Sequence, residues 1–538
     1  VPTRLIALLF VLLLAGCQLT QTGDPTPSPT LIAARSATPA PASPTPETTP
    51  EATLIAAALP TATPSVLPTV PPVPARDVLM GGVLAWIGTT GGVAGTPRTG
   101  QVALITADGT ISTLIDAPNI ATPARACGER PAAGDLFAFF VGGERGTLYI
   151  MRGANAPVAI AETDYLACLG MGTFAWSPNA GRFAFIDYPA GATRAEYTAG
   201  TLRAYASTDF APIAAVPDVS AFALGLNDAL LLRFYPSARG IAEEAAVLLW
   251  EDGADAPREI ATLLPTEGGC RFTSGQIVRA DGDALLIMGQ RCTRGDTATR
   301  WQLYTVGLGD GAASLVRSDA QPGAFVTFAR NNALFPSPDG RTVYFSVPDG
   351  VAAFTVALAA INRADFTISV PVARQAVFPN YSGTTNAAPR FSPDGRWLGF
   401  VITSPDADNQ IAALELNAPA RPPVTVSAGG RGNLIPGFAF SPFSDRLYAI
   451  AGGADNALLD IDLNSGASRR IARGRFSGAV VANRDQIAVL DGRRESNPPG
   501  EFLDLVLVSI ADGSKRTIFR AEALVGGASR IAVPLAWR

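Results

Sequence analysis

The chain has no histidine among its 538 residues. Histidine is the usual general base near neutral pH and the commonest nitrogen ligand for metals. Its absence excludes Ser-His-Asp and Cys-His catalytic apparatus, and with them His-ligated zinc, copper and haem sites. Carboxylate, tyrosine, Ser-Lys and oxygen-ligated metal chemistry are what remain. Lysine is nearly absent too, Lys515 being the only one, so arginine carries the positive charge. The formal net charge is −5 and no basic cluster stands out, which leaves no electrostatic footprint for nucleic acid. Helical periodicity of ordinary length is also missing beyond the amino-terminal segment, and this argues against βαβ folds. Hydrophobic residues, in contrast, make up 48% of the chain, ample for a large core.

Cysteine is sparse, with five residues that divide by position. Cys17 lies in the amino-terminal segment; Cys127, Cys168, Cys270 and Cys292 lie in the body. No CxxC pair occurs, so zinc-knuckle spacing is absent and no metal or cofactor is expected. In an exported protein the four body cysteines would oxidise to two disulfides.

Export is what the first residues describe. In VPTRLIALLFVLLLAGC, Arg4 precedes a ten-residue apolar run, Leu5 to Leu14. As a helix that run rises only about 15 Å, against a bilayer core of about 30 Å. A signal peptide over residues 1–16 is therefore expected rather than a spanning helix. Leu14-Ala15-Gly16-Cys17 resembles the lipobox of bacterial lipoproteins. That resemblance implies a diacylated Cys17 as mature amino terminus and a location on the extracytoplasmic face of the cell membrane. Residues 17–76 follow as a linker rich in Pro, Thr, Ala and Ser, without aromatics. Proline denies ladder hydrogen bonds, so a semi-extended stalk is expected, about 45 Å long as a coil and up to about 180 Å extended.

Beyond Asp77 the chain turns into short apolar runs separated by Asp-Gly, Ser-Gly and Gly-Gly turns, an all-β signature. Four segments are near-copies: FAWSPNAGRFAFI from 174, LFPSPDGRTVYFSV from 334, RFSPDGRWLGFVI from 390 and FAFSPFSDRLYAI from 438. Their prolines, Pro178, Pro338, Pro393 and Pro442, are 160, 55 and 49 residues apart. The first gap holds about three units of ~53 residues, a period found in propellers and solenoids. The motif resembles the TolB-like, or PD40, β-propeller repeat, best at Phe391 to Thr403. The resemblance implies four-stranded blades over residues 77–538. Proline suits the end of the inner strand, where no ladder donor is needed, and Gly340 and Gly395 suit a tight turn. Second strands are expected around Trp86, Phe139, Phe185, Leu231, Leu286, Phe345, Phe400, Ala449 and Ala488. Propellers usually have four to eight blades, so seven to nine are expected, with eight or nine favoured. The first unit lacks an inner strand, which Ser529 to Trp537 is expected to supply, closing the ring.

The cysteines fit this map. Cys270 and Cys292 flank a hairpin turning near Asp281-Gly282 and are expected to bridge adjacent strands of one blade. Cys127 and Cys168 each precede an inner region of neighbouring units, which makes a link between blades.

Few residues offer chemistry. Asp339-Gly340 and Asp394-Gly395 lack the spaced oxygen ligands of a calcium loop and read as turns. Glu243-Glu244, Glu251-Asp252 and Asp460 with Asp462 are the notable acid pairs, but neighbouring acids on a strand face opposite ways. Trp176, Phe391 and Trp397 recur in register with the repeat and read as packing between blades. Arg493 to Glu501 reads as a long polar loop inserted between two strands, the best guess for recognition. No catalytic residue is assigned and the chain is expected not to be an enzyme. The expected function is a membrane-tethered binding or scaffold module for an envelope or extracellular protein, peptide or glycan, with no nucleic-acid partner. The alternative is a carboxylate-dependent glycosidase or lyase. Acids clustered with arginine in the central channel would favour the enzyme; an apolar or mixed small lining would favour the binder.

Overall fold

Both faces of nearly every blade are buried, and this is why the apolar runs are continuous rather than alternating. A computed structural model describes residues 81–91, 99–117, 124–127, 135–168, 173–189, 199–236, 242–265, 270–280, 283–291, 299–309, 311–321, 334–337, 341–348, 355–364, 368–377, 390–402, 408–428, 437–452, 456–496, 499–524 and 527–538. All of them lie in the second of the two units into which the chain divides, Val70–Arg538. Cys17, the signal segment and the linker lie outside the described residues.

The described residues form antiparallel strands, and the only helix among them is the 3-10 turn Tyr165–Cys168. Seven sheets are present: one of five strands, four of four and two of eight. Each eight-stranded sheet is two four-stranded meanders joined by a thin pairing, Ala242 with Phe272 in one and Ala376–Val377 with Val401–Ile402 in the other. Divided there, the described strands follow the chain as successive up-and-down meanders, the blades of a propeller-like fold. By residue number they run 83–117, 125–164, 174–219, 221–263, 271–321, 334–377, 390–427, 438–474 and 476–519. The last strand, Ala528–Trp537, lies antiparallel to Val83–Gly91 and is the strand that the first blade otherwise lacks. Each expected second-strand centre, from Trp86 to Ala488, falls within a strand.

Side chains alternate along a strand, and here each parity serves a different neighbour. On Val83–Gly91, Val83, Ala85 and Ile87 pack with Ala488, Leu505 and Phe519 of the last blade. Leu84 and Trp86 pack with Phe139, Val141 and Met151 of the second. Phe183 and Phe185 face the second blade, while Ala184 and Ile186 face the fourth. Leu398 and Phe400 join Tyr344 of the sixth, while Trp397 and Val401 join Phe438 and Phe440 of the eighth. The aromatics that recur with the repeat are thus packing residues: Phe391 and Trp397 are buried, and Trp176 lies against Phe174 and Phe183.

The Ser-Pro motif is a hydrogen-bonded turn. Ser392 N donates to Trp397 O at 2.9 Å, and Trp397 N donates to Ser392 Oγ at 2.9 Å. Ser177 with Arg182 and Ser337 with Thr342 repeat this pair of bonds. The serine hydroxyl, buried in each case, meets a backbone group that the tight turn would otherwise leave unpaired. Gly395 stands in the left-handed region, φ 73°, as the turn demands.

Cys127 and Cys168 form a disulfide across a separation of 41 residues. Cys127 follows the inner strand Arg125–Ala126 of the second blade, and Cys168 closes the 3-10 turn leading to the third. Cys270 is also disulfide-bonded; Cys292 and the Asp281-Gly282 turn lie outside the described residues. One expectation is corrected. Arg493 to Glu501 is not a loop: Gln486–Ser496 and Pro499–Ser509 are long paired strands, with Arg494 opposite Glu501 and Ser496 opposite Pro499. Charged residues here keep strand conformation because opposed ion pairs span the ladder, Arg494 with Glu501 at 2.9 Å, and because Arg475 from outside the hairpin also holds Glu501.

Removing the first disulfide frees a long loop in the unfolded chain, worth about 4 kcal/mol by loop entropy. The double variant Cys127→Ser, Cys168→Ser is expected to lose up to that amount in denaturant unfolding, and an unchanged midpoint would show that the bridge adds nothing.

Candidate functional site

The eighth blade departs from the repeat at its turn, and a cleft sits there. In the regular turns the third residue is an acid or amide that holds the turn. Asp394 Oδ1 accepts from Ser392 Oγ and from Arg396 N, and Asn179 Oδ1 accepts from Ser177 Oγ and Gly181 N. In Ser441-Pro442-Phe443-Ser444-Asp445 this third position is Phe443, and the serine hydroxyl instead donates to Asp445 Oδ1 at 2.7 Å. With the carboxylate supplied two residues later, Phe443 is free of the turn and projects outward, 52% exposed.

The fourth position of the turn is left-handed in the third, seventh and eighth blades, at Ala180 (φ 52°), Gly395 (φ 73°) and Ser444 (φ 62°), a conformation costing roughly 1–2 kcal/mol for a residue with a Cβ. What sets Ser444 apart is its side chain. Its hydroxyl accepts a hydrogen bond from Asp394 N of the preceding blade at 3.0 Å, a bond that glycine cannot make. The strain is thereby coupled to the junction of two blades.

Around this turn lies a cleft of about 300 Å³ lined by residues that include Phe443, Arg446, Tyr448, Asp460, Arg469 and Arg484. Asp460 is buried, with both oxygens held by Arg446 at 3.0 Å and one by Arg469 at 2.9 Å. Arg469 also donates to Ile510 O of the ninth blade and so joins the two blades. The charge of Asp460 raises the Arg446 guanidinium further above its usual range, chiefly through their hydrogen bonds. Burial, reinforced by the charges of Asp460 and Asp445, pushes the Tyr448 phenol up to about 12. Arg484, exposed, lies over the Phe443 ring at 5.9 Å and forms no ion pair with any described residue. The cleft thus offers an exposed aromatic face and an unpaired guanidinium above a rigid ion-paired floor.

The acid pairs behave differently from one another. Asp460 is neutralised in the cleft floor, and Asp462 faces its own turn, held low by hydrogen bonds from Ser465 and Asn464. Asp252 pairs with Arg182 of the third blade, away from Glu251. Glu243 and Glu244 lie at the start of strand Ala242–Glu251. No group of three or more metal-ligating side chains occurs among the described residues. The sequence reading passed over the cleft because it took FSPFSDR as one more copy of the turn. The signal was there in the replacement of Asp-Gly by Phe-Ser.

No protein-family model matches the chain, and no curated protein matches it. Among solved structures it is similar to a prolyl endopeptidase, at 11% identity and TM-score 0.40, over 76% of this chain and 61% of that one. It is similar to an oligogalacturonate lyase solved with manganese, at 11% identity and TM-score 0.35, over 76% and 93%. It is also similar to TolB from Acinetobacter baumannii, at 13% identity and TM-score 0.24, over 67% and 83%. The chain spans less than two thirds of the length of the endopeptidase. These likenesses concern the propeller fold alone. They do correct the expectation that the chain is not an enzyme: proteins of like fold include a peptidase and a lyase. The physical reason is that missing histidine removes only histidine chemistry, and a propeller serves binding and catalysis alike.

Two outcomes test this geometry. Ser444→Ala and Ser444→Gly both strand Asp394 N, and only glycine also removes the strain, so the alanine variant is expected to be less stable than the glycine variant by about 1 kcal/mol; equal midpoints would refute the strain. For Tyr448 the folded value lies above the ordinary 10.0, so its contribution to stability is present below pH 10 and is lost as pH rises toward about 12. Tyr448→Phe is expected to flatten the decline in stability over that window, as measured by denaturant midpoints.

Proposed function

We propose that the chain is a lipid-anchored extracytoplasmic protein whose propeller, built from PD40-type repeats, is a recognition module for a protein, peptide or glycan at the membrane face. On this reading Cys17 carries the diacyl anchor, residues 17–76 form the stalk, and the pairing of Ala528–Trp537 with Val83–Gly91 closes a ring of nine blades. The proposed order is signal removal, lipidation, and display of the propeller well clear of the bilayer.

The observation that carries the recognition reading is the release of Phe443 from its turn. A large apolar ring half exposed beside an unpaired arginine is costly to leave in water, and aromatic and arginine side chains dominate binding energy where they are covered. Supporting it, the floor beneath is held by ion pairs within the eighth blade and by a hydrogen bond from Arg469 to the ninth, which fixes the cleft before any ligand arrives. Recognition of a ligand is the step that a binder shares with an enzyme, so the reading applies whether or not chemistry follows.

Two measurements test it. Expressed in a lipoprotein-processing bacterium, the wild type is expected to fractionate with membranes at the mass of a diacylated chain beginning at Cys17, and Cys17→Ala is expected not to. A soluble, unlipidated wild type would overturn the tether. On arrays of peptides and glycans, Phe443→Ala is expected to weaken captured binding by roughly tenfold or more, and undiminished binding would overturn the cleft.

A further inference from the structure

The first strands of the blades lie side by side at the inner edge of the fold. Phe476–Ala482 lies against Ala528–Trp537 and Phe438–Phe440, and Ala528–Trp537 against Arg125–Ala126. Ala221–Leu224 lies against Phe174–Trp176 and Arg271–Ala280, and the latter against Leu334–Pro336. The protein as a whole has more acids than bases, 46 against 41. Yet these first strands, with Arg390–Phe391, contain five arginines and not one Asp or Glu. Simple avoidance of charge at a packed edge would remove both signs, so the one-sided composition needs another cause. On the added strand Glu522–Ala523, which pairs with Ala528–Trp537, Glu522 lies 4.0 Å from Arg530.

The five arginines divide into two kinds. Arg279 is paired with Asp228 and Arg530 with Glu522. Arg125, Arg271 and Arg390, on the second, fifth and seventh blades, form no ion pair with any described residue. Arg125 packs over the Tyr165 ring at 5.3 Å, and its Nε is buried without a hydrogen-bond partner. Burial with no counter-charge pushes the guanidiniums of Arg125 and Arg390 below their ordinary range. An unpaired, partly desolvated cation is expensive unless an anion completes it.

We propose that the inner wall formed by these first strands binds an acidic peptide segment, whose carboxylates pair with Arg125, Arg271 and Arg390. The three cations sit on three separate blades, so an extended polyanion can reach them together where a compact ion cannot. Between them the strands FAW, AFAL, FAF and FSGAVVA carry a single hydroxyl and no charge, and most of their side chains are buried. Such a wall provides few side-chain partners for the many hydroxyls of a glycan, each of which would have to be desolvated. This wall is separate from the Phe443 cleft, and the proposal stands independently of it.

The test uses the full chain and a labelled oligo-glutamate peptide, with an oligo-lysine peptide and a uronic-acid oligosaccharide as comparators. Saturable binding of oligo-glutamate that weakens with salt is expected, with no binding of oligo-lysine. The double variant Arg125→Gln, Arg390→Gln is expected to weaken it roughly tenfold or more, and the Arg→Lys pair to retain most of it. Phe443→Ala is expected to leave it unchanged, which separates failure of the wall from failure of the cleft. Circular dichroism and the unfolding midpoint check that each variant is folded; if the double variant is not, Arg271→Gln is measured and a loss is expected there. Absence of oligo-glutamate binding, binding indifferent to all three arginines, or tighter binding of the oligosaccharide would each overturn the proposal.

Discussion

Everything in this fold depends on strands that bury side chains of both parities. A sheet with one wet face spends half its side chains on solvation; here Leu84 and Trp86 enter one interface while Val83, Ala85 and Ile87 enter the next. Each blade is therefore a filler between two others and has no free-standing core. Apolar area buried on both faces contributes about 25 cal/mol per Å² at each interface, and a blade removed would expose two faces at once. The same geometry confines polar chemistry to the turns and the inner edge, where strands end.

At the turns, the requirement is that no backbone donor be left unpaired. The buried serine hydroxyl meets it in the same way at Ser177, Ser337 and Ser392. Once that role is filled, the remaining turn residues can change. The arginines near the motif show this: Arg396 binds Glu415 of its own blade, whereas Arg182 reaches Asp252 and the carbonyls of Gly225 and Asp228 in the next. Glu415 is further gripped by Arg421, and although burial opposes its charge, the hydrogen bonds from both arginines hold its carboxyl below the usual range. An arginine near the turn thus serves cohesion within a blade or between blades, according to where the carboxylate lies.

The all-β class was legible because short apolar runs and Gly-bearing turns are local properties of the chain, and the strands around Trp86, Phe185 and Phe400 fall where apolar runs meet turn residues. The hairpin ending at Ser496 was not legible. Its residues Arg493, Arg494, Glu495 and Glu501 read as loop by composition, and only cross-strand partners such as Asp504, Arg475 and Arg520 make them strand. The cleft was hidden for a related reason. FSPFSDR looks like a worn copy of the repeat until Asp445 is seen doing the work of the missing third-position acid. A repeat motif is read by what recurs, while a site arises where a unit keeps the turn and alters its contents.

The distribution of charge follows the same division. A chain without histidine and nearly without lysine has arginine as its main cationic instrument, and arginine is suited to both tasks seen here because its planar group stacks and forks at once. In the Asp460 floor it is neutralised: two guanidiniums share one buried carboxylate, and Arg469 also reaches the next blade. On the first strands Arg125, Arg271 and Arg390 form no ion pair with any described residue. Cohesion would be served by pairing those cations too, as Arg279 is paired with Asp228. Arg125 and Arg390, desolvated and without a carboxylate among the described residues, are the cations to which an anion from outside the fold would add most.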